Sequence, residues 1–100
     1  MTRYRKRPIT VDAFQMTEAA MNDPTDWPEW LLDARYKVSV SAPGSLRPRT
    51  NADGRIADYD IFTLEGPHIV IPDAWIIRGV KGEIWAVRDD IFRETYEEVH

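Results

Sequence analysis

The chain contains no cysteine. That excludes disulfides, thiolate nucleophiles and cysteine-ligated zinc or iron–sulfur sites, and it fits a reducing compartment. Histidine is scarce: His68 sits inside an apolar run and His100 is the last residue. A lone strand histidine is more often structural than a general base. A glycine-rich phosphate loop, a G-x-S-x-G elbow and an H-E-x-x-H helix are all missing. Asp58 and Asp60 alternate on one strand face without a third ligand to complete a metal site. No apolar run approaches the roughly 18 residues that span a bilayer, and no apolar stretch follows the basic opening to make a secretion signal. These absences predict a protein without metal, cofactor, membrane segment or catalytic residues. Carboxylates are the one chemistry left to a small hydrolase.

What is present suits one folded domain. The chain has 100 residues, 43% of them hydrophobic, with four Trp, four Tyr and three Phe to fill a core. The net charge of −4 argues against general DNA binding, which needs a positive field along the phosphates. Charge is also unevenly spread. Arg3, Arg5, Lys6 and Arg7 crowd the beginning, whereas Asp89, Asp90, Glu94, Glu97 and Glu98 crowd the end. The simplest expectation is that the two ends meet as neighbouring strands with their charges facing. The sharper one is that the basic strand contributes to an anion site.

Periodicity predicts an α+β fold: a small antiparallel β-meander or open barrel of five to six strands, with one short amphipathic helix packed on it. A strand is expected over Arg7–Gln15, with Phe14 breaking its alternation. Thr17 can cap a turn or two of helix over Thr17–Asn22. Asp26, Pro28 and Glu29 have the spacing of an N-cap, a first-turn proline and a capping-box acid. Trp27, Trp30, Leu31 and Ala34 then share one helical face. Val38 and Val40 alternate with serines over Lys37–Ala42, which predicts another strand. Residues 43–55 hold two Pro, two Gly and the Asp53-Gly54 turn pair, and read as a long flexible hairpin loop from which Arg47 and Arg49 project. A meander should follow: Tyr59–Leu64, His68–Ile71, Trp75–Val80 and Glu83–Val87. Gly82 would supply the positive φ of its last tight turn. Asp89-Asp90 can cap one helical turn before a final strand over Thr95–Val99.

Chemistry gathers on the Trp75–Glu83 hairpin. A period of two puts Trp75, Ile77 and Gly79 on one face and Ile76, Arg78 and Val80 on the other. Across the turn, Glu83, Trp85 and Val87 share a face, so Arg78 is expected near Glu83 or Trp85 as an ion pair or a cation–π contact. The alternative use is a rim where Arg5, Arg7, Arg78 and Lys81 grip an anion while Trp75 or Trp85 stacks on a planar group. These six residues are the ligand-binding candidates.

The segments Tyr4-Arg-Lys-Arg-Pro-Ile-Thr-Val-Asp-Ala-Phe-Gln15, Trp75-Ile-Ile-Arg-Gly-Val-Lys-Gly-Glu-Ile-Trp85, Asp90-Ile-Phe92 and Thr95-Tyr-Glu-Glu-Val99 resemble a widespread group of small bacteriophage and prophage proteins. That PGDYG-like group opens with Y-R-K-[KR]-P and carries a P-G-D-[YW]-I-I-[KR]-G-V-K-G-E block, then D-I-F and T-Y-E-x-V. The resemblance covers both ends, roughly half the chain, and matches Thr17–Ile56 only in general character. Pro72-Asp-Ala74 departs from the group's Pro-Gly-Asp: the turn loses its glycine and the acid moves one place earlier. If that acid only shapes a bend, the fold should survive. The resemblance implies a phage context and no particular activity.

The expected function is therefore that of a non-catalytic phage accessory protein in the host cytoplasm. It would bind an anionic ligand such as a nucleotide, or a host protein, as an anti-defence factor. A virion or assembly protein and a carboxylate-based hydrolase are the alternatives. Unpaired edge strands of a small open sheet also predict a homodimer.

Overall fold

The structure is a computed structural model describing residues 2–5 and 7–99. Among these residues the order is β1 (Asp12–Gln15), α1 (Glu18–Met21), a 3₁₀ turn (Pro24–Asp26), α2 (Glu29–Tyr36), β2 (Leu46–Thr50), β3 (Ile56–Thr63), β4 (Gly66–Val70), β5 (Trp75–Arg78), β6 (Ile84–Val87) and α3 (Asp89–Thr95). All strand pairs are antiparallel, in two three-stranded sheets ordered β1-β5-β6 and β2-β3-β4. The α+β class is as expected. The second sheet is a meander and the first joins a hairpin to the chain's opening strand; neither closes into a barrel.

The two sheets and α2 enclose the core. Leu46, Tyr59, Ile61 and Val70 from the second sheet meet Ile76 and Ile84 from the first, with Met16, Met21, Trp27, Leu31 and Ala34 between them. Both buried aromatics have satisfied polar tips. The Tyr59 hydroxyl donates to the Met21 carbonyl at 2.7 Å, and the Trp27 indole N–H donates to the Ala20 carbonyl at 2.8 Å. Their rings meet edge-to-face at 5.6 Å. Burial pushes the Tyr59 phenol up to about 12.

Several expected elements move. Only Asp12–Gln15 of the opening strand pairs, because β5 ends at Arg78 and offers Val11 and earlier residues no further register. Its core-facing side chain is Phe14, the residue that breaks the alternation. Thr17 does cap α1, accepting from Ala20 N–H at 3.1 Å. Helix α2 begins later than the capping-box spacing suggests, with Pro28 at its N-cap and no side-chain cap. Asp23 wins that competition one turn earlier: its carboxylate accepts from Thr25 N–H at 3.1 Å and starts the 3₁₀ turn that Asp26 ends.

The strand expected over Lys37–Ala42 is absent. Lys37 and Val38 N–H both bond to the Asp33 carbonyl and finish α2, Ser41 turns the chain at φ 64°, and Val40 is left exposed. The middle of the long loop expected over 43–55 is a strand instead. Residues Leu46–Thr50 pair with β3, Pro48 included, which is tolerated because β2 is an edge whose outer side needs no donor. Outside it lie the approach over 43–45 and a turn over 51–55, in which Asn51 accepts from the N–H groups of Asp53 and Arg55, and Gly54 sits at φ +79°. The final strand over Thr95–Val99 does not form either, since α3 continues through Thr95 and the tail runs on unpaired.

The bend at Pro72-Asp-Ala74 survives without glycine. Asp73 takes φ 72°, the left-handed region that Asp tolerates better than most residues. Backbone bonds hold it there: Asp73 N–H to the Met16 carbonyl at 2.7 Å and Met16 N–H to the Ala74 carbonyl at 2.8 Å.

Candidate functional site

The hairpin's chemistry is divided by its sheet. Trp85 stands opposite Ile77, and Ile84 opposite Arg78. Opposed residues share a face, so Trp85 lies with Trp75 and Ile77, while Arg78 points out of the other side. The expected contact of Arg78 with Trp85 or Glu83 is not made. Arg78 instead reaches Asp12, its register partner on β1, with Nη2···Oδ2 at 2.5 Å and Nε···Oδ2 at 3.2 Å. Its guanidinium also lies 5.4 Å from the centre of the Trp30 ring.

On the opposite face the indoles are already engaged. The Trp75 ring stacks on Phe92 at 4.0 Å between centroids and 9° between planes, and Phe92 stacks in turn on Tyr96 at 5.0 Å. The Trp75 indole N–H donates to Asp89 at 2.8 Å, and Arg93 donates to the same carboxylate oxygen at 2.9 Å. These bonds hold the Asp89 carboxyl below its ordinary range, the one from Trp75 most of all. Ile77 is completely buried on this face. Trp85 closes over Gly79: a Cβ there would stand 3.0 Å from the indole Cζ3 and inside the Glu83 carboxylate. Glu83 itself accepts from the Lys81 backbone N–H at 3.1 Å, and Gly82 takes φ +83°, so the tight turn forms as expected.

A cleft of about 330 Å³ opens between this turn and the residues before β1, lined by Thr10, Val11, Asp12, Arg78, Val80 and Gly82 among others. It is not an anion cradle, since Asp12 offsets Arg78 inside it and the Glu83 carboxylate folds over the turn beside it. Arg47 and Arg49, expected to project from a loop, are structural. Arg47 donates to the Arg35 carbonyl at 2.5 Å and to the Val38 carbonyl, tying off the end of α2. Arg49 sits between Asp58 at 3.2 Å and Asp60 at 2.6 Å, so the two alternating carboxylates share one guanidinium.

Arg5 and Arg7 are placed differently. Thr2–Arg5 and Arg7–Val11 form an arm without strand or helix, exposed along nearly its whole length; Tyr4 retains 93% of its accessible surface. Among the described residues, Arg3, Arg5 and Arg7 have no carboxylate within ion-pairing distance, and Glu94, Glu97 and Glu98 have no cation. The two ends do not meet as neighbouring strands. The arm leaves the first sheet where Asp12 faces Arg78, whereas α3 starts at its other end, where Gln15 Nε2 donates to Asp89 at 3.4 Å. The molecule measures 54 × 26 × 25 Å.

One surface lay outside the expected candidates. Ile69, Ile71, Ala74, Ala86, Val87 and Arg88 line an apolar notch of about 200 Å³ where β4 passes β6. Ile69 and Ile71 remain 57% and 47% exposed. Its signal in the sequence is the unbroken run His68-Ile-Val-Ile71, in which an edge strand is apolar on both faces.

The fold thus defines a small α+β protein of two antiparallel sheets with a protruding basic arm. No protein-family model matches the chain, and neither does any curated protein or solved structure. Among the described residues no group of His, Asp and Glu could hold a metal ion, and no helix is long and apolar enough to cross a membrane.

Proposed function

We propose that this chain is a phage-borne accessory protein of the host cytoplasm that works by binding and not by catalysis, with its basic arm as the binding element for an acidic protein surface. One observation carries the reading: Arg3, Arg5 and Arg7 are exposed and lack carboxylate partners among the described residues, while Arg78, Trp75 and Trp85 are committed to contacts within the fold. Guanidinium groups on an extended segment suit carboxylates well, because each can pair in a bidentate fork. The phage context draws support from Asp73. It takes a left-handed conformation at the position where the resembling proteins carry glycine, as a shared turn requires.

Nucleotide sequestration is less well supported. A stacked base needs a free indole face, and Phe92 already covers Trp75. A hydrolase built on Asp58 and Asp60 would first have to release Arg49.

Calorimetry tests the reading, with a glutamate-rich peptide and a panel of mono-, di- and cyclic nucleotides as ligands at low and high salt. The peptide should bind at low salt, weaken steeply as salt rises, and fail to bind the Arg3→Glu/Arg5→Glu/Arg7→Glu variant. No heat from the peptide at low salt, or equal binding by the variant, would overturn the arm reading. Nucleotide binding that is lost on Trp85→Ala or Lys81→Ala would replace it with the sequestration reading.

A further inference from the structure

An exposed apolar notch with an acidic helix beside it is an incomplete surface, and the arm has the complementary features in the same order. Along the arm, Arg3, Arg5 and Arg7 are followed by Pro8 and Ile9, the latter 55% exposed. Along the other surface, the exposed carboxylates of Glu98, Glu97 and Glu94 lead back through α3 to Arg88, which lines the notch of Ile69, Ile71, Ala74, Ala86 and Val87. The lengths agree. A step of six residues, the separation of Arg3 and Ile9 in sequence, can reach about 20 Å when a chain is fully extended. Helix α3 contributes about 10 Å, and its extended tail contributes about 10 Å more.

Within one chain the two surfaces diverge, since the arm departs from the Asp12 end of the first sheet and α3 occupies the Gln15 end. Two copies placed antiparallel bring each arm to the other's notch and acidic helix. Taking the arm to be the binding element, as proposed above, we infer that its partner is a second copy of this chain. Ile9 seats in the partner copy's notch and the three arginines run along its α3 and tail. The contact is reciprocal, so a two-fold axis closes it as a dimer with no arm left over. Burying Ile9 against Ile69 and Ile71 removes apolar surface from water on both copies. The arginines fix direction and register, since the reverse orientation would set them against the notch.

Light scattering after size exclusion provides the test. Wild type should run at twice the 11.6 kDa chain mass and fall toward the monomer as salt rises. Arg3→Glu/Arg5→Glu/Arg7→Glu should be monomeric, as should Glu94→Lys/Glu97→Lys/Glu98→Lys. An equimolar mixture of the two should regain at least half of the lost dimer, because each supplies the charge the other lacks. Ile69→Asp, at an exposed site, should also dissociate it, with circular dichroism unchanged. A wild type that stays at 11.6 kDa across the micromolar range would overturn the inference. So would a dimer indifferent to both reversals, a mixture that does not reassociate, or growth into open-ended polymers. A monomer that still binds the glutamate-rich peptide through its arginines would sink self-association alone and leave the arm reading intact.

Discussion

The arm and the Trp75–Glu83 hairpin are built from the same kinds of residue, yet their side chains are used in opposite ways. In the hairpin, Arg78 is held by Asp12 and Trp30, Trp75 by Phe92 and Asp89, and Trp85 by the space that Gly79 leaves open. In the arm, Arg3, Tyr4, Arg5 and Arg7 stand exposed, and the arginines meet no carboxylate among the described residues. A cationic and aromatic composition therefore does not by itself mark a binding site. What decides is whether each side chain already has its partner. Changes in the hairpin and the core beneath it should cost stability; changes in the arm should alter association and leave stability nearly untouched.

The largest expected effect is at the hairpin root. Trp75→Ala removes a stacked ring and the donor to Asp89, and should cost about 3 kcal/mol in urea unfolding. A loss below about 1 kcal/mol would break the comparison, because the ring's contacts within the fold would then carry little.

The core comes next. Tyr59→Phe strands the Met21 carbonyl and should cost about 2 kcal/mol. It should also change the alkaline response. In the unfolded chain the phenol ionises near pH 10, while in the fold it is held at about 12. The unfolded state loses its proton first, so wild-type stability is intact below about pH 10 and falls as pH climbs toward 12. Chemical unfolding at stepped pH should show that fall in wild type and a shallower one in Tyr59→Phe.

Asp73→Gly should be stabilising, by about 0.5 kcal/mol, because glycine accepts φ 72° without steric cost and loses part of that gain to its freer unfolded chain. A lower Tm in that variant would mean that the carboxylate itself matters at the bend.

Asp12→Ala sharpens the comparison most directly. Its ion pair with Arg78 is largely solvent-exposed, so its loss should cost no more than about 0.5 kcal/mol. The same change frees Arg78, and anion binding at the hairpin, measured with the glutamate-rich peptide, should rise above wild type. Smallest of all, the triple arm reversal should move the free energy of unfolding by less than about 0.5 kcal/mol when measured at a concentration where both proteins are monomeric.

Much of the meander was legible in the sequence. The strands expected over Tyr59–Leu64, Trp75–Val80 and Glu83–Val87 form as Ile56–Thr63, Trp75–Arg78 and Ile84–Val87 with the Gly82 turn in place, because each alternates or runs apolar between turn-forming residues. The misplaced elements share a cause. Lys37–Ala42 has a strand's alternation but no neighbour to pair with, and Leu46–Thr50 has a loop's composition but pairs with β3 across five residues. Strand pairing is a property of two segments, and neither segment's pattern reports what lies beside it. The candidate site divided in the same way. Arg5 and Arg7 were expected on a strand beside the acidic end or in an anion site with Arg78, and they stand exposed on an arm outside any strand. Arg78 and Trp85 were expected together because both lie near one turn, and the register of β5 against β6 sends them to opposite faces.

The sequence by itself determined the α+β class, the aromatic supply of the core, the turn positions and the separation of charge between the two ends. Each of these depends on local propensity or on composition, which a single chain carries within itself. Only the tertiary structure decided which cations are spent and which are free, that β4 passing β6 leaves an apolar notch open, and that the basic and acidic ends depart from opposite ends of one sheet. Those follow from long-range pairing: β1 meets β5 sixty residues or more along the chain. No local pattern encodes the direction in which the remainder of each end is then sent.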